Sequence, residues 1–454
     1  MSKMRGSTSR PHLPSAPIDL VVAPVARFLH VEAASGFVLL FFTLAALVLA
    51  NSAFSEEFLA FWKTPLGISL GAFEFRHSLK HWINDGLMVL FFFVIGLEVK
   101  RELVVGELRE LRAAALPVAA ALGGMIVPAT IYLALQWDRP GHRGWGIPMA
   151  TDIAFVVGCL AVLGPRVPLG LRILLLSLAI ADDVGAILVI AIGYTENLHL
   201  NYLAWGFAGI GLVVLFARTG VRSIPIYALL GVAIWFAFHE SGVHATIAGV
   251  ILGLLTPVRP WVNESLLAEF VHDLGNALQG EPESDLSDRQ QTLRSVERAT
   301  RETISPLERL ETSLHPWVGF LIMPLFAFAN AGVSINLGAF TDFVAIAVAM
   351  GLCIGKPVGI VLFSWLAVKM GLAKLPTGVS WPALAAGGVL AGIGFTMALF
   401  IAGLALTDEL LDAAKIGILL GSALCAVLGM VLLVRLLSRP GHAAGTVHDS
   451  AHLG

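Results

Sequence analysis

Apolar stretches of about 20 residues, the length a helix needs to cross a hydrocarbon core, recur between short polar segments from residue 35 onward. Twelve such runs begin near Gly36, Asn84, Ala113, Gly146, Ile173, Leu203, Ile224, Val243, Trp317, Phe343, Ala383 and Ala413. The pattern predicts an all-α polytopic membrane protein with twelve transmembrane helices, embedded in a lipid bilayer. Residues 1–30 read as a polar, Pro-rich tail without the apolar core of a secretory signal, so the first apolar run is expected to stay as a span. Residues 31–437 form the twelve-span unit, and 438–454 a second polar tail.

Charge along the chain orients this pattern. Of the 29 Lys and Arg residues, 22 fall on the side of the N-terminus when the loops are alternated, 6 on the other side, and Lys356 inside a span. Positive residues favour the cytoplasm, so both termini are expected there. Two loops depart from short connectors. The segment 258–305 is long, polar and expected cytoplasmic, and it is expected to hold amphipathic or disordered structure, with no fold forced onto it. On the opposite side, "LGISLGAFEFRHSL" (66–79) alternates apolar positions about Gly71, which suggests a β-hairpin and hence dimerisation by edge pairing. An ordered surface loop is the alternative.

Composition narrows the function classes. The chain of 454 residues is 57% hydrophobic and 13% charged, with a net charge of −3 and a mean hydropathy of +0.82. That excludes an ordinary soluble domain and offers no basic surface to nucleic acid. Cys159, Cys353 and Cys425 lie inside apolar runs at unpatterned spacing, and His442, His448 and His452 are loosely spread in the tail. Neither set reads as a metal site.

The chemistry lies in the charges at membrane depth: Asp85, Glu98, Asp152, Asp182, Asp183, His244 and Lys356. Ionisable groups there are rare and usually mark ion or proton pathways. One lysine does not neutralise three aspartates. Asp182 and Asp183 are helix neighbours and project about 100° apart, so one is expected to pair with Lys356 while the other faces a hydrated cavity. Sodium and lithium prefer oxygen ligands, and Thr151 beside Asp152 in "MATDIAF" adds a hydroxyl and a carboxylate from a second span. A site holding protons or a cation, but not both, is the minimum for an antiporter. Helix breakers add to this: Gly144, Gly146 and Pro148 precede Thr151 in span four, and "GGVLAGIGFT" (387–396) lies in span eleven. Interrupted spans in both halves point to two broken helices crossing near the midplane, within inverted-topology repeats formed by spans 3–5 and 10–12. Asp152 and Lys356 are also suited to compensating the dipole ends that such breaks expose.

Seven blocks in order carry a resemblance over roughly residues 30–437: "INDGLMVLFFFVIGLEVKREL" (83–103), "ATDIAFVVG" (150–158), "LAIADDVGAI" (178–187), "SGVHATIAGV" (241–250), "LHPWVGFLIMPLFAFANAGVSI" (314–335), "GKPVGI" (355–360) and "GIGFTMALFIA" (392–402). By these the chain resembles the NhaA-type sodium/proton antiporters, which are themselves an example of inverted-repeat transporters. The resemblance implies export of Na+ or Li+ for inward protons, two per cation, in a bacterial inner membrane, with no enzymatic activity and no cofactor. It implies Asp183 as the principal cation and proton carboxylate, Asp182 paired with Lys356, and Asp152 and Thr151 beside the crossing. Lys356 is then either a proton carrier or a structural partner. Glu98, Arg309, Glu311 and His315 match positions tied to pH regulation and a cytoplasmic funnel, His244 a histidine linked to the pH profile, and Asp85 an acidic residue of span two. The chain departs from the pattern in "SPLERLETSLHPW", where Glu308 replaces a familiar basic residue and Thr312 a histidine, and in its longer preceding loop.

Other classes fit less well. An intramembrane aspartyl protease needs a Gly-x-Gly-Asp type motif, which no aspartate here has. A sodium-coupled symporter or a channel would share the build, and is separated by solute cotransport or by unsaturable flux.

Overall fold

The computed structural model describes residues 32–70, 73–195, 198–221, 223–279, 286–334, 338 and 341–437. Both polar tails, including the three tail histidines, lie outside them. The architecture is helical apart from one hairpin. Among the described residues nine helical stretches are long and apolar enough to cross a membrane, and up to eleven if two bent pairs each count as one span. One bent pair is α1 (Glu32–Ala50) with α2 (Ser55–Lys63), turned by 115°. The run near Val243 is the exception to the expected lengths. Its helix α10 (Thr246–Leu255) has 10 residues, about 15 Å of rise, which is too short to span alone. The chain enters it through Gly242, whose φ of 81° is left-handed, and an irregular turn bearing His244.

After α2 the chain forms an antiparallel hairpin, β1 (Pro65–Leu70) and β2 (Phe73–Ser78), with Gly67 opposite Arg76 and Ile68 opposite Phe75. Phe75 places its ring against Trp82, Trp235 and Phe236, so the hairpin is anchored on its own chain. It leads into α3 (Leu79–Val104), which carries a π-helical turn at Trp82–Leu87 around Asp85.

The interior is made by helices that approach closely. In α4 (Leu111–Leu135) and α14 (Phe343–Lys369), Gly123 and Gly359 face each other so tightly that a Cβ on either would fall about 2 Å from the other's carbonyl oxygen. A π-helical turn at Gly351–Gly355 ends immediately before Lys356 in α14, and Lys356 is directed at this crossing, its Cε near Gly124. By contrast α8 (Leu200–Arg218) and α9 (Ile224–Ser241) pack on each other and leave Trp205, Phe207, Leu229 and Val232 exposed. In a chain of this composition such surfaces face lipid. The long polar segment contains two helices, α11 (Glu264–Gln279) and α12 (Leu286–Thr303), which pack together. Glu302 O accepts the N–H groups of Trp261 and Val262. The next helix, α13 (Pro306–Asn330), returns to the apolar interior.

Candidate functional site

Two helix interruptions meet in the interior. A 3₁₀ helix, α5 (Pro140–Met149), ends at Pro148–Met149, and the chain stays extended until Asp152 caps α6 (Ile153–Leu163). The second interruption separates α15 (Trp381–Ala391) from α16 (Phe395–Ala405), which are bent by 49°. The breaks meet closely: Asp152 N–H donates to Ile393 O at 2.7 Å, and Thr151 Oγ1 lies 3.0 Å from Ala391 O. Gly and Pro permit these irregular backbones, and their partners satisfy the polar groups that the breaks expose.

The Asp152 carboxylate serves two helix N-termini. Its Oδ1 accepts from Phe155 N–H at 3.2 Å, and its Oδ2 accepts from Thr396 N–H at 3.0 Å and from the Thr396 hydroxyl. A carboxylate at two positive dipole ends is held electrostatically as well as by hydrogen bonds. Lys356 does the converse. Its ammonium donates to Met149 O, at the C-terminal end of α5, and lies 2.9 Å from Asp182 Oδ2, with neither side chain of that pair exposed. Asp182 Oδ2 also accepts from the Thr151 hydroxyl at 2.7 Å. Having one proton, that hydroxyl gives it to the carboxylate rather than to Ala391 O.

What remains is unbalanced. Asp182 Oδ1 is buried without a hydrogen-bond partner among the described residues. Asp183, its neighbour in α7 (Leu169–Gly193), is 3% exposed, and among the described residues no group donates to it. Three buried aspartates and one buried lysine share this volume, and the field of Glu98, from α3, also reaches Asp183. Such a carboxylate requires a proton, water or a cation to be stable. The oxygens gathered here are hard donors.

The other sequence-identified residues fall in two further groups. Asp85 is surrounded by histidines: Oδ2 lies 3.5 Å from His239 Nδ1 and 3.6 Å from His81 Nε2, and Oδ1 lies 4.0 Å from His244 Nε2. At the start of α13, Glu311 pairs with Arg101 of α3 at 2.5 Å, while Arg309 and His315 share that helix without taking part in the pair. Sequence reasoning missed Thr396, Arg101, His81 and His239. Thr396 closes the quoted block "GIGFT", so only its partner was hidden. Arg101 and His239 carry no local signal, because each acts across a tertiary contact, whereas His81 stands one helical turn from Asp85, so its i,i+4 spacing was available in the sequence.

A family model described as Na+/H+ antiporter 1 matches residues 26–433. The chain is 57% identical over 428 residues to a Na(+)/H(+) antiporter NhaA of Rhodopirellula baltica, covering 94% of this chain and 97% of the relative. It is 55% identical to a Na(+)/H(+) antiporter NhaA of Rhizobium meliloti, covering 96% of this chain and 99% of that protein. A Na(+)/H(+) antiporter NhaA 2 of Vibrio vulnificus is 49% identical, with 95% and 96% covered.

Proposed function

The chain belongs to the Na+/H+ antiporter 1 family, and from that premise we propose that it is a secondary active antiporter exporting Na+ or Li+ in exchange for inward protons. The observation that carries the reading is the buried carboxylate of Asp183, to which no group donates among the described residues, beside Asp182 Oδ1, which has no hydrogen-bond partner among them. A cation and a proton satisfy the same oxygens, so they compete. Asp183 is the exchanging group, with Thr151 as a further oxygen donor. Asp152, engaged with Thr396 and two helix ends, shapes the negative potential and becomes a ligand when Thr396 gives way. Lys356 neutralises Asp182 and the end of α5, which supports a structural partner over a proton carrier.

In this reading twelve spans with inverted repeats carry the site. Spans four and eleven are the broken pairs α5–α6 and α15–α16, and both termini are cytoplasmic in a bacterial plasma membrane. Alternating access exposes the crossing to one side at a time. Exchange of two protons per cation makes the cycle electrogenic and suits a role in salt tolerance and pH homeostasis. Glu98, Arg309, Glu311, His315, His244 and Asp85 set its pH response, and the hairpin joins two copies into a dimer.

The test uses inverted membrane vesicles holding an imposed proton gradient. Addition of Na+ or Li+ is expected to dissipate it, and Asp183→Asn to abolish the response. An undiminished response in that variant removes Asp183 from its role.

A further inference from the structure

A second cluster of donors lies away from the carboxylate crossing, where the hairpin meets the membrane helices. His77 of β2, His81 at the start of α3 and His239 near the end of α9 each place one ring nitrogen so that all three lie within 4.8 Å of one another. The His77 and His81 rings are stacked with centroids 4.2 Å apart, and His77 meets His239 edge-on at 5.2 Å. His81 Nε2 is buried without a hydrogen-bond partner among the described residues. Asp85 Oδ2 stands within 3.6 Å of a nitrogen of both His81 and His239. The side chains are partly open, with His81 36% and His239 15% exposed.

We propose that His77, His81 and His239, with Asp85 as fourth ligand, bind a divalent transition-metal ion of the zinc class and so clamp the hairpin to α3 and α9. The donor set decides the class of ion. Three imidazoles and one carboxylate suit Zn2+, Co2+, Ni2+ or Cu2+, whereas Na+, Li+, Mg2+ and Ca2+ want oxygen. The site is therefore distinct from the one that holds transported cations. Tetrahedral zinc with Zn–N bonds of about 2.0 Å needs ligand atoms roughly 3.3 Å apart, so binding turns His77 and His81 out of their stack, about their broad terminal torsions, until both lone pairs converge on the ion. His244 stands just outside this group: its Nδ1 lies 2.6 Å from Thr246 Oγ1, and its Nε2 lies 4.0 Å from the other oxygen of Asp85.

Full-length protein purified without a histidine tag is titrated with Zn2+ against a chromophoric chelator, then loaded with Co2+ for its ligand-field spectrum. One zinc per chain is expected, bound in the micromolar range or tighter, with a tetrahedral cobalt spectrum. His77→Gln and His239→Gln should weaken binding at least about tenfold, and Gln at His442, His448 and His452 together should leave it unchanged. Thermal unfolding of the metal-free variants verifies folding, and His77→Gln, on the peripheral hairpin, is the arm least exposed to that concern. No zinc binding in the wild type, binding that survives His77→Gln, or binding lost with the tail histidines overturns the proposal. The readout is metal binding itself, so it stands or falls apart from the antiport reading.

Discussion

At Asp182 and Lys356, burial decides what each charge is for. A buried ion pair gains Coulomb attraction but loses the hydration of both ions, so its net worth is small while the cost of breaking it is large. The 2.9 Å contact is fully enclosed, and the Met149 carbonyl and Thr151 hydroxyl add donors and acceptors around it. Removing the lysine alone, as in Lys356→Met, leaves Asp182 facing Asp183 without a counter-charge. That single substitution is expected to destabilise the protein by about 3–5 kcal/mol. The double variant Asp182→Asn with Lys356→Met should recover a large part of the loss, because no uncompensated charge remains. Unfolding of the detergent-solubilised protein, followed for both singles and the double, measures the coupling. Strictly additive losses would mean that the two side chains do not act as a pair.

At the scale of helices, the pocket depends on how closely backbones approach. Lys356 reaches the crossing because Gly123 of α4 and Gly359 of α14 let their helices touch. An added methyl at Gly359 would meet the Gly123 carbonyl at about 2 Å, and the contact is backbone, which has nowhere to go. Gly359→Ala should therefore push the helices apart and cost on the order of 2 kcal/mol or more, with transport falling as Lys356 withdraws. Gly403→Ala, where nothing lies within 4 Å of the added carbon, serves as control. Equal thermal shifts in the two variants would exclude close approach as the cause. The same elements show what the chain made legible. The helical, apolar character followed from hydropathy alone, although among the described residues nine stretches, or up to eleven with the bent pairs, are long enough to span where the sequence shows twelve runs. Gly392 and Gly394 lie at the 49° bend, and Gly146 and Pro148 lie in the 3₁₀ stretch before α6. The short α10 did not follow from hydropathy: "VHATIAGVILGLL" is apolar enough to extend the run, and only the left-handed Gly242 ends the preceding helix. Nor did the polar 258–305 segment announce two packed helices, since their pairing is tertiary. Within the site, aspartates in apolar runs stood out because charge is expensive there. Which group donates to which oxygen depended on three elements meeting, information that no local window holds.

At the scale of the whole molecule, transport is a problem of keeping one site from serving two faces at once. Helices α5 and α6 are linked to α15 and α16 at the crossing by Asp152 N–H to Ile393 O and by the Thr396 contacts to Asp152. The carboxylate charge is thus tied to the interruptions whose rearrangement would open either side. Loading with one cation or with protons reduces the excess negative charge of three aspartates against one lysine, whereas the empty ionised site is penalised by its burial. In the proposed cycle the protein then passes between faces only when loaded, which would couple the two fluxes. Competition for shared oxygens then dictates the sign of the pH effect. Below the range in which these carboxylates ionise, protons occupy the site and Na+ must displace them; as pH rises, the displaced proton count falls to zero. The apparent KM for Na+ should hence rise on acidification, by about tenfold per pH unit for each proton that must leave, and approach about 100-fold per unit if two leave together. Vesicle transport measured as a function of Na+ concentration across pH 6–9 gives that slope. A KM that stays flat while only the maximal rate changes would mean that protons act on a regulatory group, such as those around Glu311 or Asp85, and not at the oxygens of Asp183.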